Sequence, residues 1–249
     1  MPDLKMNWPS APASPSLEAR DVHLWSATLD KTSGQLAKFN STLSSDEQIR
    51  AARFHFDRDR NRFIAGRGLL RDILGRYLQI APSEIKFSYT DRGKPALDGL
   101  PPDAGLHFNL SHSHAFALLA VTRLCPVGID VELIRPLKDA EAIAERFFSS
   151  RESAALAALP PEHKPVGFFN LWTRKEAWLK ATGEGISNSL NQVEVSLLPG
   201  EPVRLISLFG KTAEAADWTL QDLSPAPEFK GALAIPAKNL RLECWSWPD

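Results

Sequence analysis

Val127-Gly128-Ile129-Asp130-Val131-Glu132 is the stretch on which the reading of the fold turns. Its alternation predicts a strand over residues 127–133. Ile129 and Val131 then face a core, while Asp130 and Glu132 share the opposite face. Two carboxylates on one face repel each other unless a cation or a base sits between them. Gly128 leaves room for something bulky to come close to the strand. Taken alone, Asp-x-Glu on a strand usually marks a solvated face, so the neighbouring segments decide what it means.

Immediately upstream, residues 114–122 form a second apolar strand, and Arg123-Leu124-Cys125-Pro126 reads as the turn of a hairpin joining the two. Before that strand, His107-Phe108-Asn109-Leu110-Ser111-His112-Ser113-His114 gathers hydroxyls and imidazoles able to bond phosphate oxygens. Its His-x-His pairs find no third soft ligand nearby, which argues against zinc. Thr90-Asp91-Arg92-Gly93-Lys94-Pro95 is a tight turn with two cations and free backbone N–H groups, suited to a phosphate. As a bare pattern it is also an ordinary hairpin turn.

Further upstream, residues 57–80 carry Phe63, Leu70, Ile73, Leu74 and Tyr77 at spacings of three and four, the stripe of a long helix. Gly66 and Gly68 inside it point to close packing. Arg50, Arg53, Arg58, Arg60, Arg62 and Arg67 crowd the same region, with Asp57 and Asp59 interleaved. A helix starts near Ser45, and residues 22–29 open the fold as a strand.

Downstream, Ser149-Ser150-Arg151-Glu152 is a capping box, and residues 166–182 form a helix closed by Gly183. That helix holds Leu171-Trp172-Thr173-Arg174-Lys175-Glu176-Ala177-Trp178-Leu179-Lys180. Glu176 and Lys180 lie one turn apart on one face, with Trp172 a turn earlier. Strands follow at 192–198, 203–208, 218–223, 231–235 and 240–247. Each half therefore runs strand, helices, strands, which predicts an α+β fold made of a duplicated unit, with the junction near residues 130–136. The expected divisions are a flexible N-terminal tail (1–20), an N-terminal lobe (21–130) and a C-terminal lobe (131–249).

Three carboxylates, Asp130, Glu132 and Glu176, with Lys180 beside them suit a hard divalent cation that shares its remaining positions with phosphate oxygens, which favours Mg²⁺. The formal net charge of −1 lacks the cationic excess of a nucleic-acid binder. Two cysteines among 249 residues fit reduced thiols in a cytoplasmic protein better than a disulfide framework. The longest apolar run, residues 115–121, is too short to span a bilayer.

Together the blocks Arg92-Gly93-Lys94-Pro95, Phe108-Asn109-Leu110-Ser111-His112-Ser113, Val127–Glu132 and Leu171–Lys180 with Gly183 resemble the 4′-phosphopantetheinyl transferases of the longer, pseudo-dimeric type. They occur in that family's order, between about residues 44 and 187. The resemblance implies two similar α+β lobes with pseudo-twofold symmetry, each a small β-sheet packed on helices, with coenzyme A in the cleft between them. It implies an enzyme that transfers the 4′-phosphopantetheine group of coenzyme A to a serine of an apo acyl or peptidyl carrier protein, with Mg²⁺, releasing 3′,5′-ADP. By position, Asp130, Glu132 and Glu176 are the expected metal ligands, and Glu176 and Lys180 the expected catalytic pair. Arg92, Gly93, Lys94, Pro95, Ser111, His112 and Lys180 are expected to contact coenzyme A. Arg50 matches a basic position serving the 3′-phosphate, joined by Arg53 and Arg62. Three residues before Arg50, where members often carry a second basic residue, this chain has Glu47.

Expected partners are thus coenzyme A and carrier proteins, with residues 133–148 as a docking region, acting on a monomeric enzyme without nucleic acid or membrane. Two other readings fit the carboxylates alone: a metal-dependent phosphodiester-cleaving enzyme, and a non-catalytic carrier- or nucleotide-binding module. The near-neutral charge counts against the first, and the intact acids with Lys180 against the second.

Overall fold

The computed structural model describes residues 7–99, 105–184, 190–197 and 201–248. The first half runs β1 (Asp21–Thr28), α1 (Ser33–Asn40), α2 (Ser45–Ala52), α3 (Asp57–Leu78), β2 (Phe87–Tyr89), β3 (Pro95–Leu97), β4 (His107–Ser113) and β5 (Phe116–Thr122). The second runs β6 (Gly128–Leu133), α4 (Ala140–Phe147), α5 (Ser150–Ala157), α6 (Lys164–Thr182), β7 (Val193–Val195), β8 (Leu205–Leu208), α7 (Thr212–Ala216), β9 (Thr219–Leu223) and β10 (Phe229–Ile235). A last strand, β11 (Arg241–Ser246), follows.

Two larger sheets result, ordered β11-β1-β5-β4 and β6-β10-β9, beside the two-stranded pairs β2-β3 and β7-β8. Leaving β11 aside, they share one plan. The first strand of each unit pairs antiparallel with its last, which pairs antiparallel with the one before it. Each unit has one long helix, α3 or α6, and both helices end in a left-handed residue, Gln79 and Gly183. Counting back three and seven residues from those caps pairs Arg76 with Lys180, and Asp72 with Glu176. The two-lobed α+β fold with internal pseudo-symmetry is therefore present, and it was legible in the order of elements.

The sheets pack face to face. Val22, Leu24, Leu118 and Ala120 of the first meet Ile129, Val131, Leu233 and Ile235 of the second, all fully buried. Strand periodicity explains the division of labour: alternate residues fill this inner layer, leaving the other face of each sheet to a helix. Leu70, Ile73 and Leu74 of α3 pack with Trp25, Phe108 and Leu119 on the outer face of the first sheet. Phe168, Leu171, Ala177 and Trp178 of α6 pack with Ala232 and Ala234 on the outer face of the second. Buried residues surround α6 on nearly all sides, the mark of a helix enclosed between layers. At roughly 1.5–3 kcal/mol per large apolar side chain removed from water, the eight inner-layer residues alone bind the lobes into one body.

Four expectations change. The two apolar strands around residues 123–126 are no hairpin: β5 pairs with β1 and β4, and β6 with β10. The chain there steps from one sheet to the other, and the hairpin is β4–β5. Residues 131–249 are not one lobe, because β11 lies parallel to β1 in the first sheet, with Asp21 opposite Arg241 and His23 opposite Glu243. The boundary at 130 also falls inside β6. Of residues 1–20, those from 7 onward are tied down: Ser10 bridges to Ser246, Ser246 N donates to Pro9 O (2.8 Å), and Leu17 packs on the core. Residues 1–6 lie outside the described residues, as does residue 198, where the expected strand 192–198 was to end.

Candidate active site

Where β4 of the first unit meets β6 and α6 of the second, three polar side chains of β4 reach across in register. Asn109 Oδ1 accepts from Ile129 N (2.8 Å), Ser111 Oγ donates to Asp130 Oδ1 (2.8 Å), and Ser113 Oγ donates to Glu132 Oε2 (2.7 Å). The spacing of two on both strands makes this ladder: residues 109, 111 and 113 share a face, as do 130 and 132. The polar run before β5 is thus itself a strand, and its serines orient the carboxylates.

Gly128 fixes the third side. A Cβ there would fall on the backbone of Ala177 and Ala181 and lie 2.9 Å from the carbonyl carbon of Lys180. Its absence lets α6 rest directly on β6. That approach sets Lys180 Nζ 2.6 Å from Asp130 Oδ1 and 2.9 Å from Ser111 Oγ. Glu176, one turn earlier, is close enough to feel the charges of Asp130, Lys180 and Glu132.

The electrostatics are those of a site short of positive charge. Burial raises the Asp130 carboxyl above its usual range despite the Lys180 ammonium. Burial and then the Asp130 charge raise Glu132. Glu176 is pushed up to about 7, by burial first and by Asp130 next. Two oxygens, Asp130 Oδ2 and Glu176 Oε1, are buried with no hydrogen-bond donor among the described residues. Buried acceptors are normally satisfied. Oxygen-only donors around such orphaned atoms fit a hard divalent cation.

Elsewhere, Asp21, His23 and Glu243 are the described trio of ligand-type side chains whose ligand atoms all lie within 4.8 Å of one another. Arg241 already bonds both oxygens of Asp21, at 2.7 and 2.8 Å, so that cluster carries its own cation. Asp130, Glu132 and Glu176 are spread more widely than that trio.

The remaining expected residues divide. Arg50 and Gly93 border a cavity of about 290 Å³ with Asp46, Glu47, Phe63, Arg67 and Tyr89. Arg53 lies on the neighbouring surface with Asp46, Ile49, Arg50 and Phe54. Pro95 lines a separate cavity of about 440 Å³ beside Val127 and Gly183. His112 is exposed on β4 between the two buried serines; partial enclosure and then Lys180 hold its imidazole below the usual histidine range. Arg62 is not brought to the site: Asp30 takes its guanidinium in two bonds, at 2.7 and 3.0 Å. Arg92 and Lys94 point to α6. Arg92 Nη1 donates to Gly183 O (3.4 Å), and Lys94 Nζ donates to the carbonyls of Lys180, Ala181 and Val127.

Sequence reasoning noted Arg67 in the arginine cluster but gave it no place in the site. Glu47, read there as a departure, is the buried anchor for two cations: it pairs with Arg67 and, at 2.7 Å, with Arg71. Arg67 also donates to Tyr89 Oη (3.1 Å), on the wall of the Arg50 cavity. The signal was present as an acid at 47 facing arginines four residues apart on α3, but only the tertiary fold shows that they meet.

Comparison with known proteins bears on the family. Residues 126–235 match the profile of the 4′-phosphopantetheinyl transferase superfamily, and residues 25–124 that of the 4′-phosphopantetheinyl transferase N-terminal region. The chain is 44% identical to the 4′-phosphopantetheinyl transferase HetI of a Nostoc species over 244 residues, covering 98% of this chain and all of that one. It is 36% identical to the 4′-phosphopantetheinyl transferase Sfp of Bacillus subtilis, over 64% of this chain and 69% of that one. With near-complete coverage by one relative and both halves matched in order, the chain belongs to the 4′-phosphopantetheinyl transferase superfamily.

Proposed function

We propose that the chain transfers the 4′-phosphopantetheine group of coenzyme A to the serine hydroxyl of an apo acyl or peptidyl carrier protein, releasing 3′,5′-ADP, with Asp130, Glu132 and Glu176 as the side chains that hold Mg²⁺. One observation carries the assignment of the site: two buried, donor-less carboxylate oxygens, Asp130 Oδ2 and Glu176 Oε1, beside a lysine ammonium at the joint of the two units. Bound there, Mg²⁺ supplies the positive charge that neutralises the pyrophosphate of coenzyme A and favours in-line attack.

The protein's own groups do the rest. The serine oxygen forms a bond to the β-phosphorus as the bond from that phosphorus to the departing 3′,5′-ADP oxygen breaks. Glu176, as a carboxylate, takes the serine proton directly or through a water. Lys180 offsets the charge that grows on the departing phosphate. Ser111 and Ser113 hold the two strand carboxylates in place. Arg50, with Arg53 and Arg67 nearby, offers cations to the 3′-phosphate at the cavity that Gly93 borders.

The completed site needs both units of one chain, which supports a monomer. Both cysteines are free, and no described helix is long and apolar enough to cross a membrane; we place the reaction in the cytoplasm. The test is incubation with coenzyme A, Mg²⁺ and a panel of apo carriers, read by mass spectrometry. At least one carrier gains a phosphopantetheine group, and Glu176→Gln loses turnover while keeping most of its coenzyme A affinity. A panel in which no carrier gains the group overturns the assignment.

A further inference from the structure

The turn between β2 and β3 belongs to the first unit, yet its two cations end on the second. Lys94 Nζ donates to the backbone carbonyl of Lys180, and lies 3.4 Å from Ala181 O and 3.5 Å from Val127 O. Arg92 Nη1 lies 3.4 Å from Gly183 O. Lys180 O and Ala181 O are among the carbonyls that a helix leaves without partners at its C-terminus, whereas Val127 O precedes β6. Gly183 N donates back to Leu179 O, and Glu184 N turns to Thr182 Oγ1 (3.4 Å), so Lys180 O receives no helical amide from residue 184. A cation at this end of α6 also opposes the helix dipole.

From this arrangement we infer that Lys94 is a positioning residue for Lys180: it ties the last turn of α6 to the lead-in of β6 and so holds the Lys180 ammonium on Asp130. An ammonium has three N–H donors. Three carbonyls surround this one, which leaves no donor to reach a phosphate. Val127 O directly precedes Gly128, the residue whose missing Cβ lets α6 and β6 touch. Lys94 therefore bridges the two elements that carry Lys180 and Asp130, at the point where they converge. Burial holds its pKa below the usual lysine value, as fits an ammonium enclosed among carbonyls. Because it reaches over from the first unit, the β2–β3 turn straps the lobes together beside the site.

The inference rests on the transfer reaction proposed above only for its kinetic readout. Lys94→Met keeps length and removes the donors. The expected result is a fall in kcat of at least about tenfold, with KM for coenzyme A and Kd for 3′,5′-ADP within about twofold of the parent protein. Lys94→Arg sharpens the contrast. A planar guanidinium serves a phosphate well but cannot place donors around one point toward three carbonyls, so kcat falls here too while 3′,5′-ADP affinity stays. A tenfold or larger loss of 3′,5′-ADP affinity with kcat preserved makes Lys94 a phosphate ligand and overturns the inference. Amide exchange at Gly183, followed by NMR or mass spectrometry, needs no turnover. It accelerates in Lys94→Met as the last turn loosens, and unchanged exchange also overturns the inference. Absence of carrier modification by the parent protein overturns the proposed reaction and leaves the exchange result to decide the role of Lys94.

Discussion

Gly128→Ala changes one hydrogen to a methyl and is expected to damage stability and turnover together. The added carbon falls on backbone atoms of Ala177 and Ala181 and 2.9 Å from the carbonyl carbon of Lys180. None of these is a side-chain end that can rotate away. Relief requires α6 to lift from β6 by about 1 Å, and overpacking of this kind costs about 1–3 kcal/mol. We expect the upper part of that range, because the enclosed helix pushes against packed layers on its far side. The same lift draws Glu176 and Lys180 away from Asp130, and if they act as proposed, misplacement by about 1 Å costs on the order of a hundredfold in rate. Urea unfolding followed by tryptophan fluorescence gives the first quantity, and a single-carrier turnover assay with coenzyme A the second. Gly183→Ala is the control. Its φ of 77° makes alanine strained there, at about 1 kcal/mol, but a Cβ meets nothing within 4 Å, so α6 has no reason to shift and turnover stays near the parent level. A folded Gly128→Ala protein with turnover within about twofold of the parent would refute the claim that glycine sets the approach of α6.

Two further outcomes follow from buried charge. Glu176 has a folded pKa of about 7 against an ordinary 4.5, so between those values the folded state binds more protons than the unfolded one and stability falls as pH rises. At about 1.4 kcal/mol per pH unit the loss approaches about 3 kcal/mol by pH 8. Without metal, Glu176→Gln is therefore more stable than the parent at pH 8 by up to that amount, and the gain vanishes below pH 4.5; thermal melts across pH, showing no such convergence, would remove burial as the cause. Lys175 is fully buried, 2.7 Å from Glu152 and 3.0 Å from Leu190 O. Lys175→Met leaves the Glu152 charge enclosed and is expected to cost about 3 kcal/mol or more in urea unfolding, and a cost below about 1 kcal/mol would show that Glu152 finds solvent or another partner.

The sequence allowed some of this to be read and concealed the rest, for definite reasons. Asp130 and Glu132 could be placed on one face because strand periodicity is local, and the inner layer formed by Ile129 and Val131 follows from the same rule. Glu176 and Lys180 followed from helical spacing. The supposed hairpin at residues 123–126 failed because two apolar strands joined by a short proline-containing turn look the same whether they pair or step between packed sheets. The docking of β11 on β1 depends on residues some 220 positions apart, Asp21 and Arg241, whose pairing no local pattern encodes. For Glu47 and Lys94, the side-chain type was noted and its partners were not. A buried carboxylate on Arg67 and Arg71, and an ammonium on helix carbonyls, are consequences of tertiary approach.

The internal pseudo-symmetry has a consequence for how the molecule reconciles rigidity with reactivity. In the first unit, Arg76 and Asp72 stand at the heights of Lys180 and Glu176 but pair with each other at 3.0 Å. Arg76 lies over the rings of Trp247 (4.3 Å) and Trp25 (5.9 Å), and Trp25 in turn packs against Trp245. The counterpart of the carboxylate cleft is plugged with aromatic rings supplied partly by the C-terminal strand. A reactive site that keeps unsatisfied acids enclosed is a standing cost to folding. Duplication lets the second unit carry the unsatisfied acids at this height of its long helix, while the equivalent position of the first is closed by an ion pair and packed rings. Substitutions that harden this aromatic plug, which lies apart from the proposed ligands, can therefore raise the melting temperature without the loss of activity that usually accompanies stabilisation.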